Sequence, residues 1–451
     1  MKSDPAARAV VFRAALSCLA AAAPALVLAA RLEAAEPGPT GARLELGFEE
    51  RVRTENSDDA TDFEHDAVDA RHQWRFRTRV WAKLDAGART TFVAGLNNES
   101  RKLTTPRVAL TMDETLFETL YLEHRFAGDV LVRAGRQNLT RGDGFILMDG
   151  GPLDGSRTAY FNALDAGWTR GRRRLDLLLV SDTDRDQYLP AIHDRHRALI
   201  EWDERAIGLY GVDSSMERTT LDAYWFFKTE TADTRAAANA ARQPDRRFHT
   251  AGARATRDMA GDWSLKVEFA GQLGRQEGGA KVRAWGGQAS LRRAFPGAPA
   301  RPAVAVGWVA LSGDDPATAA NEGWDPLFSR FPKWSELYIY TLGAERGAAY
   351  WTNLSMGVAE VQLAPARSLD ARLVYLRLGA FHRFPGAPSL LGDGTRRGDL
   401  LIARADLKLD DHWRGHLLGE RLAPGDFYTG DDTGWFFRAE VTYAFKRTFG
   451  T

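Results

Sequence analysis

The sequence predicts an all-β chain: a transmembrane antiparallel β-barrel of about eighteen strands, with long extracellular loops and short periplasmic turns. Three observations predict it. Past the first 40 residues, segment after segment alternates apolar and polar side chains, which sets one row on each face of a strand. The gaps between segments alternate long (54–71) and short (85–88), as extracellular loops and periplasmic turns do. No apolar run beyond the leader approaches the ~20 residues that a membrane helix needs.

The chain opens on a secretory leader over 1–30. Lys2, Arg8 and Arg13 form its positive end, and residues 14–30 form an apolar core ending in small side chains. Cleavage is expected near Ala30 or Ala35, leaving 36–451 as one barrel domain. The single cysteine, Cys18, lies within the leader, so the mature chain has no thiol for disulfides, cysteine zinc sites or nucleophilic chemistry. Processing as a lipoprotein at Cys18 would need a better small-residue box and a longer apolar stretch before it. A soluble chain of 451 residues would ordinarily divide into two or three domains, yet no linker or composition break divides this one. Mean hydropathy is negative, as a barrel with a polar lumen requires when only alternate strand residues meet lipid. A soluble β-sandwich or propeller would also alternate, but would not explain the leader and the gap rhythm together.

The strands are expected near 43–53, 72–84, 89–98, 115–126, 129–137, 160–169, 173–181, 205–213 and 219–228 in the first half. The second half holds 247–257, 263–273, 281–293, 301–312, 353–363, 369–380, 399–409, 412–421 and 434–446. An even count leaves both termini in the periplasm. The last strand is the clearest. Trp435, Phe437, Ala439, Val441, Tyr443 and Phe445 form its lipid face, while Arg438, Glu440, Thr442 and Lys446 turn inward.

The charges balance, which excludes a global polyanion signal, but nine of the 60 basic residues are lysine, so arginine dominates. A GC-rich genome would give the same bias, so position must decide. On the second strand Trp74, Phe76, Thr78, Val80, Ala82 and Leu84 face outward, which puts Arg75, Arg77, Arg79 and Lys83 on the inner face. Further inner cations are Arg51, Arg53, Arg125, Arg133, Arg372, Arg404, Lys408, Arg414 and Arg438, interleaved with Glu45, Glu49, Glu123, Asp370, Asp406, Glu420 and Glu440. Two uses follow. Opposite charges on neighbouring strands build ladders that stiffen a barrel wall, whereas a basic constriction selects anions. Arginine suits carboxylates because its planar fork bonds them bidentately. The candidate anion path is centred on Arg75, Arg77, Arg79 and Arg133.

Two long loops are candidate gates. Residues 313–352 carry Asp314, Asp315, Trp324, Phe328, Phe331 and Trp334, more aromatic surface than a solvated loop needs. The glycine-rich stretch 138–159, with Arg136 at its base, is the second. Packing against the rim or against lipopolysaccharide is the alternative to a gate.

From these pieces the chain resembles the alginate-export family of outer-membrane proteins. The carrying motifs are Arg75-Phe-Arg-Thr-Arg79, Gly135-Arg136-Gln137 with Leu139, Gly142-Asp143-Gly144, and Asp154-Gly-Ser-Arg157. Ser312-Gly-Asp-Asp315, Trp324-Asp-Pro-Leu-Phe328 and Pro424-Gly-Asp-Phe-Tyr428 follow in the same order. The resemblance implies a monomeric eighteen-stranded barrel whose electropositive pore passes a uronate polysaccharide outward. The pore positions it carries over are the Arg75–Arg79 cluster and Arg136. An anion-selective porin taking up small carboxylates is the alternative function. Expected partners are the anionic polysaccharide or small anionic solute, outer-membrane lipid and lipopolysaccharide, the barrel-assembly machinery and periplasmic export components. Nucleic acid is not among them.

No cofactor, metal or catalytic residue is expected. His412, His416 and Glu420 have helical zinc spacing, but in a strand they spread over ~27 Å. Asp182-Thr-Asp-Arg-Asp186 lacks the glycine and terminal glutamate of a calcium loop. Ser156 near Asp154 has no Gly-x-Ser-x-Gly elbow around it, and nothing supports a hydrolase.

Overall fold

Alternation along the chain becomes a closed wall. The computed structural model describes residues 41–65, 69–149, 160–183, 188–189, 202–231, 244–329, 333–346, 351–383 and 390–450. The leader, Cys18 and both expected cleavage points lie outside the described residues, as do Asp154, Ser156, Asp184, Asp186 and Phe331.

Eighteen strands form one antiparallel sheet, and the last pairs back onto the first. They are β1 Arg43–Asp58, β2 Arg71–Ala86, β3 Thr90–Thr105, β4 Thr111–Arg125, β5 Val130–Gln137 and β6 Phe161–Arg170. Next come β7 Arg173–Asp182, β8 Asp203–Asp213, β9 Thr219–Thr231, β10 Arg246–Met259, β11 Trp263–Gln276 and β12 Lys281–Ala294. The wall ends with β13 Ala303–Leu311, β14 Leu354–Ala366, β15 Leu369–Gly379, β16 Arg396–Lys408, β17 Trp413–Pro424 and β18 Gly434–Phe449. Each strand pairs with its sequence neighbours, so the topology is up-and-down throughout. Closure removes the open edge that a flat sheet would leave to aggregation.

The two faces follow the sequence pattern. Trp74, Phe76, Val80 and Leu84 of β2, and Trp435, Phe437, Val441 and Phe445 of β18, are exposed on the outside. Arg51, Arg53, Arg75, Arg77 and Arg438 are buried inside. Strands run further than apolar alternation suggested: β1 continues to Asp58 and β3 to Thr105, because the wall extends above the lipid as polar sheet. A bulge in β4, where register shifts between Gly95 and Leu96 of β3, changes the phase of the inward row there.

The apolar core does not lie between layers; it fills the long-loop end of the lumen. Leu139, Phe145, Ile146 and Leu147 of the β5–β6 loop are buried there, with Trp324, Leu327 and Phe328 of the β13–β14 loop. That second loop also contains the one long helix among the described residues, α1 Leu337–Arg346. The two loops join through a bridge between Leu147 and Phe328, and Phe145 stacks on Trp324 at 5.4 Å.

Candidate functional site

Three groups of charged side chains organise the lumen: a ladder on β18–β1–β2–β3, a strut under the β13–β14 loop, and a cavity on β5–β7.

The ladder gathers the first predicted cluster. Arg75 reaches Glu55 at 3.2 Å and Glu99 at 2.7 Å. Arg77 lies 2.9 Å from Glu49, and Arg79 bridges Glu49 at 3.5 Å and Glu118 of the β4 bulge. Arg438 donates to Glu55 at 2.8 Å and Arg53 lies 3.0 Å from the same carboxylate. Arg51 completes the row between Glu99 and Glu440. Burying so many cations is tolerable only because acids alternate with them at hydrogen-bond distance. Arg75 and Arg77 are therefore wall components with little open surface.

The other predicted cations scatter. Lys83 sits nearer the short turns, 3.3 Å from Asp85. Arg404 pairs with Asp406 on β16, four places round the ring from β2. Arg136 does not join an open path: it is 1% exposed, bonds Asn162 Oδ1 and the Phe117 carbonyl, and stacks at 4.0 Å on Tyr160. The cause is Gly135, whose φ of +125° turns the end of β5.

The strut was not foreseen. Asp325 of the β13–β14 loop, 1% exposed, meets Lys228 at 3.4 Å and Arg246 at 2.5 Å. Lys228 also lies 2.9 Å from Glu204 and 2.7 Å from Glu230, and donates to the Leu327 carbonyl at 2.8 Å. Gln272 brackets Asp325 from the wall, donating to its carbonyl and accepting from its N–H. The loop's far end is fastened to other strands. Glu420 of β17 accepts from Ser335 Oγ and from the N–H groups of Glu336 and Leu337, where a carboxylate complements the start of α1. Arg438 holds Glu336 at 2.7 Å, and Arg397 holds Glu345 at 2.5 Å beside Tyr338 and Tyr428. Burial pushes the Tyr338 hydroxyl up to about 12, so it stays a neutral donor. From β9–β11 to β16–β18 is about seven places round a ring of eighteen, so this loop crosses the lumen.

Of the predicted gate residues, Trp324 and Phe328 lie in that crossing. Asp314 and Asp315 do not: they accept from the N–H groups of Glu322 and Ala317, shaping turns at the rim. Asp325 stands inside the Trp324–Phe328 motif and Tyr428 inside the Pro424–Tyr428 motif, which is the signal that could have found both anchors.

The cavity lies lower. Arg133, Arg141 and Arg174 converge with Leu131 and Asp165 around about 180 Å³. Arg133 pairs with Glu123 at 2.6 Å and lies over the Tyr121 ring. Arg141 descends from the β5–β6 loop to Asp165 at 2.5 Å and Asp176 at 3.0 Å, and Arg174 shares Asp176 at 2.7 Å. Unlike the ladder arginines, Arg133 and Arg174 keep 29% and 41% of their side-chain surface open.

Metal-type groupings are sparse among the described residues. Asp58, Asp59 and His65 approach one another at the rim, where His65 Nδ1 is 3.3 Å from Asp59. His416 and Glu420 share the inner face of β17, but His412 lies in a turn bonded to the Ala444 carbonyl, so the three form no site.

A family model described as alginate export matches residues 42–435, nearly the whole barrel. The chain belongs to the alginate export family. It is an outer-membrane channel, and neither family nor fold is of an enzyme type. No curated protein matches it in sequence. Among solved structures it resembles Pseudomonas aeruginosa OpdO, with a TM-score of 0.56 and 13% identity over 89% of this chain and 97% of that one. P. aeruginosa OccK2 (OpdF) in complex with glucuronate has a TM-score of 0.55 and 11% identity over 89% and 98%. P. aeruginosa OccK5 (OpdH) gives 0.53 and 10% over 90% and 98%. At such identities the likeness is one of fold, and it matches an alginate export barrel to porins.

Proposed function

We propose that this member of the alginate export family passes a polyuronate of the alginate type outward, along the wall where Arg133, Arg141 and Arg174 converge. That cavity carries the reading: three guanidinium forks and one carboxylate line about 180 Å³, the scale of a single acidic sugar unit. Arg133 and Arg174 are part-exposed, and buried Asp176 keeps Arg141 when Arg174 turns away, so each can exchange its acid partner for a passing carboxylate without stranding a buried charge. Exchange of this kind gives weak, serial binding, which a moving polyanion needs. Lys83 and Arg404 add further lumen cations; Arg75, Arg77, Arg79 and Arg438 stiffen the neighbouring wall. Membership of the alginate export family supports the outward direction. The barrel works as a monomer inserted by the general assembly machinery.

Uptake of small carboxylates is the second reading, and one observation favours it: the β13–β14 loop is fastened on both sides of the lumen, which narrows the path. OccK2, the fold relative solved with glucuronate, supports a uronate-sized solute under either reading.

Reversal potentials in planar bilayers under a salt gradient test the path. Anion preference should fall several-fold in Arg133→Ala/Arg174→Ala and persist in Arg75→Gln; the opposite pattern returns the path to the ladder. Deletion in the native host separates the solutes. Lost secretion of uronate polymer is expected, whereas normal secretion with a growth defect on one organic acid establishes the porin.

A further inference from the structure

The outer surface of the barrel carries a groove that transport does not use. It encloses about 630 Å³ across β16, β17, β18, β1 and β2, just below the long-loop rim. Bulky outward side chains stand around it: Leu401, Trp435 and Phe437 are all exposed. Its hollow comes from two small residues on neighbouring strands, Ala403 and Gly419, where the alternation would ordinarily place apolar bulk. A side chain at Gly419 would meet no atom within 4 Å, so nothing among the described residues fills that space. Arg421, two residues above Gly419 on the same face, lies at the upper lip with its guanidinium 5.5 Å from the Trp435 ring. It is exposed, and its hydrogen bond to Thr433 Oγ1 is long at 3.5 Å. Asp58 and His72 complete the lip on the other side.

These features specify an amphiphile. The floor is apolar and faces the bilayer, while the lip offers a cation at the level where aromatic and basic side chains meet headgroups. Long loops lie outside the cell, so the groove opens into the outer leaflet, which in this membrane is built of phosphorylated glycolipid. A volume of this order suits an acyl chain better than a water-filled niche.

We propose that the groove seats one acyl chain of the outer leaflet's lipopolysaccharide, with a lipid A phosphate on Arg421 and the sugar hydroxyls toward Asp58. Arginine's fork meets a phosphate bidentately, and the Trp435 ring beneath it keeps the guanidinium in place without neutralising it. The site is independent of whichever solute the lumen carries.

Native mass spectrometry of the full-length barrel tests this, with hexa-acylated bisphosphorylated lipid A, its dephosphorylated form and phosphatidylethanolamine as probes. One lipid A per barrel is expected, with dephosphorylated lipid A and phosphatidylethanolamine weaker. Gly419→Phe, which excludes two or three methylenes from the groove, should weaken lipid A by roughly tenfold or more. Arg421→Ala should weaken it about fivefold, the scale of one cation at a charged lipid surface, without affecting the dephosphorylated form. Both residues point away from the lumen, so single-channel conductance serves as the folding control; Ala403→Leu replaces Gly419→Phe if that variant does not insert. Equal binding of all three probes, or lipid A binding indifferent to both substitutions, overturns the proposal. So does a barrel–barrel dimer that Gly419→Phe abolishes, because the groove would then belong to a second copy.

Discussion

Replacing Asp325 by Asn should release one end of the loop that crosses the lumen. The change is isosteric, and the new amide oxygen can still accept from the Leu327 N–H that Asp325 Oδ1 now receives at 2.7 Å. What disappears is the charge that meets Lys228 and Arg246. Charge-assisted contacts of this kind are worth roughly 1.5–3 kcal/mol each. Lys228 keeps Glu204 and Glu230, and Arg246 keeps Glu230, so neither cation is stranded and the larger cost of breaking a buried pair does not apply. The loss is therefore about 3 kcal/mol of docking free energy, which converts to roughly a hundredfold rise in the undocked population. In planar bilayers the time spent in a larger-conductance state should rise by that order. Trypsin should also cut the loop faster while the barrel retains its heat-modifiable migration. A correctly inserted Asp325→Asn channel with an unchanged conductance histogram would refute the strut.

Alkaline pH should act in the opposite direction. Lys333 in the same loop is pushed down to about 8 by burial, against the pull of Glu268 and Asp143. Below that pH it is charged whether docked or free. Between about 8 and its ordinary value of 10.5 the docked loop holds fewer protons than the free loop, so docking strengthens as pH rises. Conductance should fall across that window, and Lys333→Met should abolish the dependence. Glu55→Gln removes the carboxylate shared by Arg53, Arg75 and Arg438; it should cost about 3–5 kcal/mol in urea unfolding while leaving ion selectivity unchanged. Selectivity lost with stability intact would make the ladder the path after all. Gly135→Ala places a Cβ 2.2 Å from the Leu120 carbonyl at a φ of +125°, so refolding yield should fall sharply. Normal yield would mean that β5 has another way to turn.

Which side chains face inward was legible wherever a strand alternates without interruption, as on β2 and β18. The partners of the inward arginines were harder to read, for three physical reasons. Glu55 and Glu99 lie beyond the expected ends at residues 53 and 98, because sheet above the lipid loses its apolar row while keeping its hydrogen bonds. Glu118 lies in a bulge that resets the alternation. Asp325, Glu336 and Glu345 belong to a loop, where no periodicity announces which residue returns to the wall. Aromatic excess identified the loop that fills the lumen, but the attachment points are charged and single.

The seam between β1 and β18 joins residues as far apart as Glu55 and Arg438, 383 positions along the chain. An unfinished sheet therefore carries Arg51 and Arg53 on its first edge and Glu440 on its last, each with part of its complement still missing. Hydrophobic strands alone would let the first edge mate with whatever strand came next. A charged inner row makes the final hairpin the matching key, so the wall closes on its own last strand and on no earlier one.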